Sequence, residues 1–67
     1  METYTMTYAY AEVGGSKWGL NLRIYQSSDG AEVAKKLAIY DTEAELLTYV
    51  DGIKLQLELN PNQIPTL

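Results

Sequence analysis

The chain contains no cysteine and no histidine among its 67 residues. It therefore cannot form disulfides, and it lacks the usual ligands of a structural zinc site. The absence of histidine also excludes the Ser/His and Cys/His pairs that activate a nucleophile. Because small domains often depend on cross-links or metals, this one must rely on a well-patterned core or on self-association. We expect that it can form a homodimer.

Basic residues are also scarce, with 5 Lys and Arg against 9 Asp and Glu and a net charge of −4. This balance argues against a general nucleic-acid binder and is compatible with binding a basic protein surface. No apolar run approaches the length of a membrane span, and residues 1–13 lack the basic and apolar parts of a secretory signal. We expect one cytoplasmic domain, residues 1–67, with no membrane partner.

Two segments at the start of the chain have the alternation of β-strands. In residues 3–13, Tyr and Met occupy even positions while Thr and Ala occupy most odd ones, which favours a strand. Residues 17–26 form a second strand, with one apolar face made of Trp18, Leu20, Leu22 and Ile24.

The face that the first strand buries depends on the intervening turn, Gly14-Gly15-Ser16. A two-residue turn places Tyr4, Met6, Tyr8 and Tyr10 on the open face. A three-residue loop instead pairs Tyr10 with Leu20 and Tyr8 with Leu22, because a one-residue shift turns every side chain over. We favour this inward arrangement, since a small domain needs aromatic volume in its core.

Residues 31–40 are predicted to be a third strand, with Val33, Leu37 and Ile39 on the covered face. A two-residue Asp29-Gly30 turn would oppose Leu22 to Leu37 and Leu20 to Ile39. A helix over residues 32–40 is the rival, because Ala, Glu, Lys and Leu favour helices. The match of apolar faces favours the strand.

A short helix follows, and its start is the clearest local signal in the chain. Thr42 and Glu45 form a capping box, and Gly52 is well placed to end the helix. Residues 53–59 alternate again and predict a fourth strand, which Asn60-Pro61-Asn62 terminates. Residues 60–67 are expected to be a loosely held tail.

These elements predict an α+β fold in the order β-β-β-α-β. A four-stranded, mostly antiparallel sheet is covered on one face by a single short helix, and its other face is open. We assign Arg23, Lys36 and Lys54 to this open face.

The residues reveal no catalytic or cofactor site. Asp41, Glu43 and Glu45 cluster where a helix begins, and capping and the helix dipole explain them. No EF-hand-like loop supports a cation there, and Gly14-Gly15 opens a strand rather than a phosphate-binding helix. We therefore expect no catalytic residue, no metal and no cofactor, and a protein that is not an enzyme.

The segment KWGLNLRIY, the Asp-Gly turn and the segment IYDTEAELLTYV, within residues 17–50, resemble the arm-type DNA-binding domain of tyrosine recombinases. The resemblance implies that a sheet face enters the major groove, with Arg23 and Lys36 as contacts. The chain departs from that family in its few basic residues, its long Tyr/Thr first strand and its added C-terminal strand.

Our leading hypothesis is a non-enzymatic protein-binding module. A small acidic inhibitor from a phage or mobile element, of the anti-CRISPR type, would fit, and it would cover a basic nucleic-acid-binding surface of its target. The alternatives are a DNA-binding sheet domain using Arg23, Lys36 and Lys54, and a structural self-associating domain. The candidate partner-binding residues are Tyr4, Tyr8, Tyr10, Arg23, Tyr25, Lys36, Asp41, Glu43 and Glu45.

Overall fold

Three strands and one helix make up the fold in a computed structural model that describes all 67 residues. The elements are β1 (Tyr4–Glu12), β2 (Trp18–Gln26), β3 (Glu32–Tyr40) and α1 (Glu43–Leu59). The strands form one antiparallel sheet in sequence order, with β2 at its centre. The predicted α+β class is confirmed, and β3 is a strand rather than a helix.

The predicted fourth strand is wrong, because residues 53–59 continue the helix. Ile53 and Leu57 lie on the same helical face as Val50, whereas Leu55 points away and is 54% exposed. Gly52 takes a helical conformation and does not end α1. Docking on the sheet buries Ile53 and so offsets the helix penalty of glycine, about 1 kcal/mol. The helix stops before Pro61, since the residue before a proline avoids helical angles.

β1 pairs with β2 in the register that the three-residue loop predicts. Tyr10 lies opposite Leu20 and Tyr8 lies opposite Leu22. The Val13 N–H donates to the Lys17 carbonyl at 2.8 Å, which closes the loop over Gly14, Gly15 and Ser16. All three loop residues have positive φ. The tyrosines of β1 therefore lie on the helix side of the sheet.

The predicted register of β3 is wrong by one residue. Leu22 lies opposite Lys36 rather than Leu37. A two-residue I′ turn needs positive φ at both central residues, but only Gly30 has it (φ 74°) and Asp29 does not. The loop is wider, with the Gln26 N–H donating to the Ala31 carbonyl at 2.7 Å, and a bulge opposite Ile24 and Tyr25 shifts the register again.

The core lies between β2 and α1. Leu20, Leu22 and Ile24 from the strand meet Leu46, Val50 and Ile53 from the helix, and each is at most 3% exposed. Half-buried side chains surround this cluster, among them Met6, Trp18, Val33, Tyr40 and Leu57. Fully burying an aliphatic side chain contributes roughly 1.5–3 kcal/mol, so these six residues provide the main stabilisation of the fold.

The segment expected to be a loose tail, residues 60–67, contacts the rest of the domain. The Tyr4 N–H donates to the Pro61 carbonyl at 3.1 Å, and the Asn62 amide donates to the Glu2 carbonyl at 2.9 Å. Pro65 is buried, and Leu67 packs against the core cluster. The only helix, α1, is neither long nor apolar enough to cross a membrane.

Candidate protein-binding surface

The helix covers one face of the sheet and leaves the other without a covering element. Side chains alternate along each strand, so the residues between those that face α1 form the opposite surface. We call this surface the uncovered face. Its members are Thr5, Thr7, Ala9 and Ala11 on β1, Gly19, Asn21, Arg23 and Tyr25 on β2, and Lys35, Leu37 and Ile39 on β3.

Half of the uncovered face is apolar. Leu37 and Ile39 are 66% and 65% exposed, and Val13 at the end of the sheet is 51% exposed. Together with Ala9, Ala11 and Gly19 they line a depression of about 610 Å³. Small residues form the floor of this depression and the larger aliphatic side chains stand at its sides, so bulky apolar groups of a partner can approach the sheet closely.

Gly19 has a specific role in this surface. A Cβ built at this position would lie 2.9 Å from Cγ1 of Val13. The missing side chain therefore lets Val13 lean over β2, which extends the apolar surface from β3 to the end of β1.

The other half of the uncovered face is polar and charged. Arg23 and Lys35 lie directly opposite each other on neighbouring strands, an arrangement of like charges that destabilises a sheet. Arg23 is partly compensated by Glu32, whose Oε1 lies 3.5 Å from its Nε. Lys35 has no carboxylate within ion-pairing distance.

An ion pair between Lys17 and Asp41 lies at the end of the sheet next to the apolar half. The hydrogen bond between them, and then their mutual attraction, raise the pKa of Lys17 and lower the pKa of Asp41. Both side chains are exposed, so the pair contributes little to stability. It does fix the position of a carboxylate beside the apolar surface.

The acids that follow Asp41 begin the helix, as predicted. The Glu45 N–H donates to Oγ1 of Thr42 at 3.1 Å, which caps α1. Glu43 lies near the Tyr10 hydroxyl and raises the pKa of Tyr10 by hydrogen bonding. No group of three or more carboxylates is close enough to hold a metal ion.

Aromatic side chains gather on the helix side of the sheet. Tyr8, Tyr10 and Trp18 form a row with ring centroids 6.2 and 6.0 Å apart, and Nζ of Lys54 lies 5.2 Å from the Tyr8 centroid. These contacts attach the edge strand β1 to the rest of the fold.

A second aromatic group lies under β3. Tyr49 of the helix packs against Tyr40 at 6.1 Å, and Nζ of Lys36 lies 4.9 Å from its ring centroid. Burial raises the pKa of the Tyr49 hydroxyl, which has no hydrogen-bond partner.

The candidate residues taken from the sequence do not form one site. Only Arg23 and Tyr25 lie on the uncovered face, whereas Tyr4, Tyr8, Tyr10 and Lys36 lie on the helix side. Asp41, Glu43 and Glu45 mark the start of the helix. The assignment of Lys36 and Lys54 to the open face is wrong, because both amines contact tyrosines packed beside the helix.

Sequence reasoning missed the two most exposed apolar residues of the sheet, Leu37 and Ile39. The prediction placed them against the helix because it used the wrong turn. The signal that points to them is the continuous run Leu37-Ala38-Ile39-Tyr40, since a strand with apolar residues at consecutive positions is suited to contacts on both faces.

The arrangement can bind a partner by apolar contact, with charges at both ends to set orientation. No protein-family model, curated protein or solved structure matches this chain.

Proposed function

We propose that this chain is a non-enzymatic protein-binding module that acts through its uncovered face. The observation that carries the proposal is the exposure of Leu37 and Ile39, 66% and 65%, next to each other on a sheet face. Exposed apolar patches rimmed by polar residues typically mark interaction sites. A chain of this size can spare little apolar surface from its core, which makes this placement costly unless a partner covers it.

The shape of the surface favours a protein partner over a small molecule. The depression is one side chain deep, because its floor is the sheet itself and its walls are Leu37, Ile39 and Val13. A small ligand bound there would keep much of its surface in water, whereas ligand sites usually bury most of the ligand. A protein surface can cover the whole face.

An inhibitor that covers a basic nucleic-acid-binding surface is the specific role that the charges support. The net charge is −4, and Asp41 lies beside the apolar half of the uncovered face. Glu43 and Glu45 lie on the helix side, where they add to the acidic charge of the molecule. Charge complementarity of this kind speeds association and is weakened by salt. Binding to such a target should therefore weaken as the ionic strength rises.

Affinity capture with matched variants tests the proposal. The face variant carries L37S and I39S, and the control carries L55S and L59S, which replace two exposed leucines on the helix. Partners captured from an extract of the source cells should be retained by the wild type and by the control and lost by the face variant. Equal retention by all three proteins would refute a role for the uncovered face.

A DNA-binding role is the second candidate, favoured by the pairing of Arg23 with Lys35 on a sheet face that no helix covers. It has less support, because Arg23 already contacts Glu32 and the adjoining half of the face is apolar. A mobility-shift assay at low salt distinguishes DNA binding from protein binding. A shift that is abolished by the double substitution R23A and K35A would support DNA binding. The absence of a shift at every protein concentration would refute it.

A further inference from the structure

We infer that the partner of the uncovered face is a second copy of this chain, packed face to face about a two-fold axis. This inference rests on the proposed function, because it names the protein that the face binds. The supporting observation is the order of residues along β3. When two copies of this strand face each other in opposite directions, apolar residues meet apolar residues and a lysine meets an aspartate.

The centre of this pattern is Ala38. Leu37 and Ile39 stand one residue to either side of it, and both point to the uncovered face. Lys35 and Asp41 stand three residues to either side and have opposite charges. A two-fold axis between the copies, perpendicular to β3 and passing over Ala38, places Leu37 of each copy on Ile39 of the other. The same rotation brings Lys35 of each copy to Asp41 of the other.

Within a single chain, no carboxylate compensates the positive charge of Lys35. Lys35 lies opposite Arg23, and no carboxylate of its own chain reaches it. Asp41 of a second copy is paired through Oδ1 with its own Lys17, and its other carboxylate oxygen would accept from Lys35 and so compensate this like-charge contact. The two other cations that the rotation brings together, Lys17 and Arg23, each already have a carboxylate of their own, Asp41 and Glu32.

The geometry of sheet packing permits these contacts. Packed sheets lie about 10 Å apart with their strands within about 30° of each other. At that separation the facing aliphatic side chains interdigitate. Because the axis keeps the two β3 strands antiparallel, the long Lys35 side chain can reach the carboxylate of Asp41 in the other copy. Glu43 and Glu45 begin the helix on the far side of the sheet, so they stay accessible to a different partner.

The surface area that two uncovered faces can bury against each other predicts a dimer of modest affinity. Four rows of residues on three strands cover roughly 26 by 14 Å in each copy, so two copies remove about 700 Å² of projected surface from water. That is below the roughly 1,000 Å² of a typical specific interface and lies in the range of weak, transient ones. We therefore expect a monomer–dimer equilibrium that depends on protein concentration.

Sedimentation equilibrium of the full chain over a range of concentrations measures this equilibrium. The wild type should pass from 7.5 kDa toward twice that mass as its concentration rises. L37S should weaken association by roughly a hundredfold, because each substitution removes two buried leucines from the dimer. L55S, which changes an exposed leucine of the helix, should leave the dissociation constant unchanged.

Charge reversal tests the proposed pairing directly. K35D alone and D41K alone should each weaken association by roughly tenfold, since each places like charges together twice per dimer. The combination of K35D with D41K restores opposite charges across the axis and should recover most of the affinity. E58K reverses an exposed charge on the helix that forms no ion pair, so it is the matched control. Circular dichroism of every variant verifies that it is folded.

The outcomes separate this inference from the function on which it rests. A wild type that stays monomeric at all concentrations, or a dimer that L37S leaves intact, overturns the second copy as occupant. If capture of another protein still depends on Leu37 and Ile39 in that case, the protein-binding function stands with a different partner. A dimer weakened by L37S but not recovered by the double reversal would overturn the proposed two-fold arrangement.

Discussion

Glycine has opposite roles at two positions of this chain. Gly30 has a φ of 74°, a left-handed conformation that side chains rarely adopt, and it shapes the wide loop that sets the register of β3. Gly52 lies inside α1 with ordinary helical geometry, and a Cβ built there would meet no atom within 4 Å. Only the first position requires glycine.

Replacing Gly52 with alanine should therefore stabilise the protein. The expected gain in the free energy of unfolding is about 0.5–1 kcal/mol, because alanine loses less backbone entropy in a helix. Urea denaturation followed by circular dichroism measures it. The matched substitution G30A should destabilise, and a loss of stability in G52A would mean that the helix does not continue through this residue.

Among the elements, the helix α1 begins at a position that the local sequence specifies. Its second half forms because it packs against the sheet. Thr42 accepts a hydrogen bond from the Glu45 N–H at 3.1 Å, which any helix beginning there would form. Beyond Gly52 the helix continues because Ile53 and Leu57 pack against the sheet. A short helix is marginal in water without such contacts.

The substitution T42A should cost about 1 kcal/mol in the free energy of unfolding, since it removes the N-cap acceptor. T48A is the control in the same helix. Its hydroxyl donates to the Ala44 carbonyl at 2.8 Å within the helix and caps nothing, so its loss should be close to neutral. Chemical denaturation of both variants makes the comparison, and equal losses would contradict the capping role.

The pair I53A and L55A distinguishes a helix from a strand over residues 53–59. In a strand both side chains would share a face and cost similar amounts. In the helix Ile53 is 2% exposed and Leu55 is 54% exposed. We expect a loss of about 2–5 kcal/mol for I53A and less than about 0.5 kcal/mol for L55A, measured by urea denaturation. Similar losses would rule out the helical extension.

At the scale of the whole molecule, several exposed charged contacts join distant parts of the chain. Glu2 accepts from the Ser28 hydroxyl at 2.6 Å and so ties the N-terminus to the loop between β2 and β3. Lys17 and Asp41 join the ends of β2 and β3. The Ser28 bond lowers the pKa of Glu2, and Lys17 lowers the pKa of Asp41.

These shifts predict how stability depends on pH. Because the pKa values of Glu2 and Asp41 are lowered in the folded state, their contribution is present above the ordinary carboxylate range, about pH 4. It is lost as the pH falls through the lowered values. The pKa of Lys17 is raised, so its contribution is present below about pH 10.4 and is lost as the pH rises further.

Thermal unfolding followed between about pH 2 and pH 7 measures the acidic side of this dependence. Stability should decrease at the acidic end, and E2Q and D41N should each make that decrease shallower. E58Q, which neutralises an exposed helix carboxylate that forms no ion pair, should follow the wild type. Identical slopes in all the variants would show that these contacts do not couple protonation to folding.

Local sequence patterns were enough to predict the strand β2 and the cap at Thr42, and the composition alone excludes cysteine and histidine chemistry. Strict alternation in Trp18–Ile24 identifies the buried face because it depends only on neighbouring residues. The cap likewise needs only Thr42 and Glu45. Such local signals are also why the α+β class was predictable.

Contacts between distant parts of the chain set the register of β3, the length of α1 and the composition of the uncovered face. The alternation of residues 53–59 fits a strand and a helix alike, and docking against β2 selects the helix. The register of β3 depends on one wide loop and one bulge. A one-residue shift reverses which side chains are buried. The apolar run in β3 therefore indicates two apolar faces, and the folded chain identifies Leu37 and Ile39 as the exposed pair.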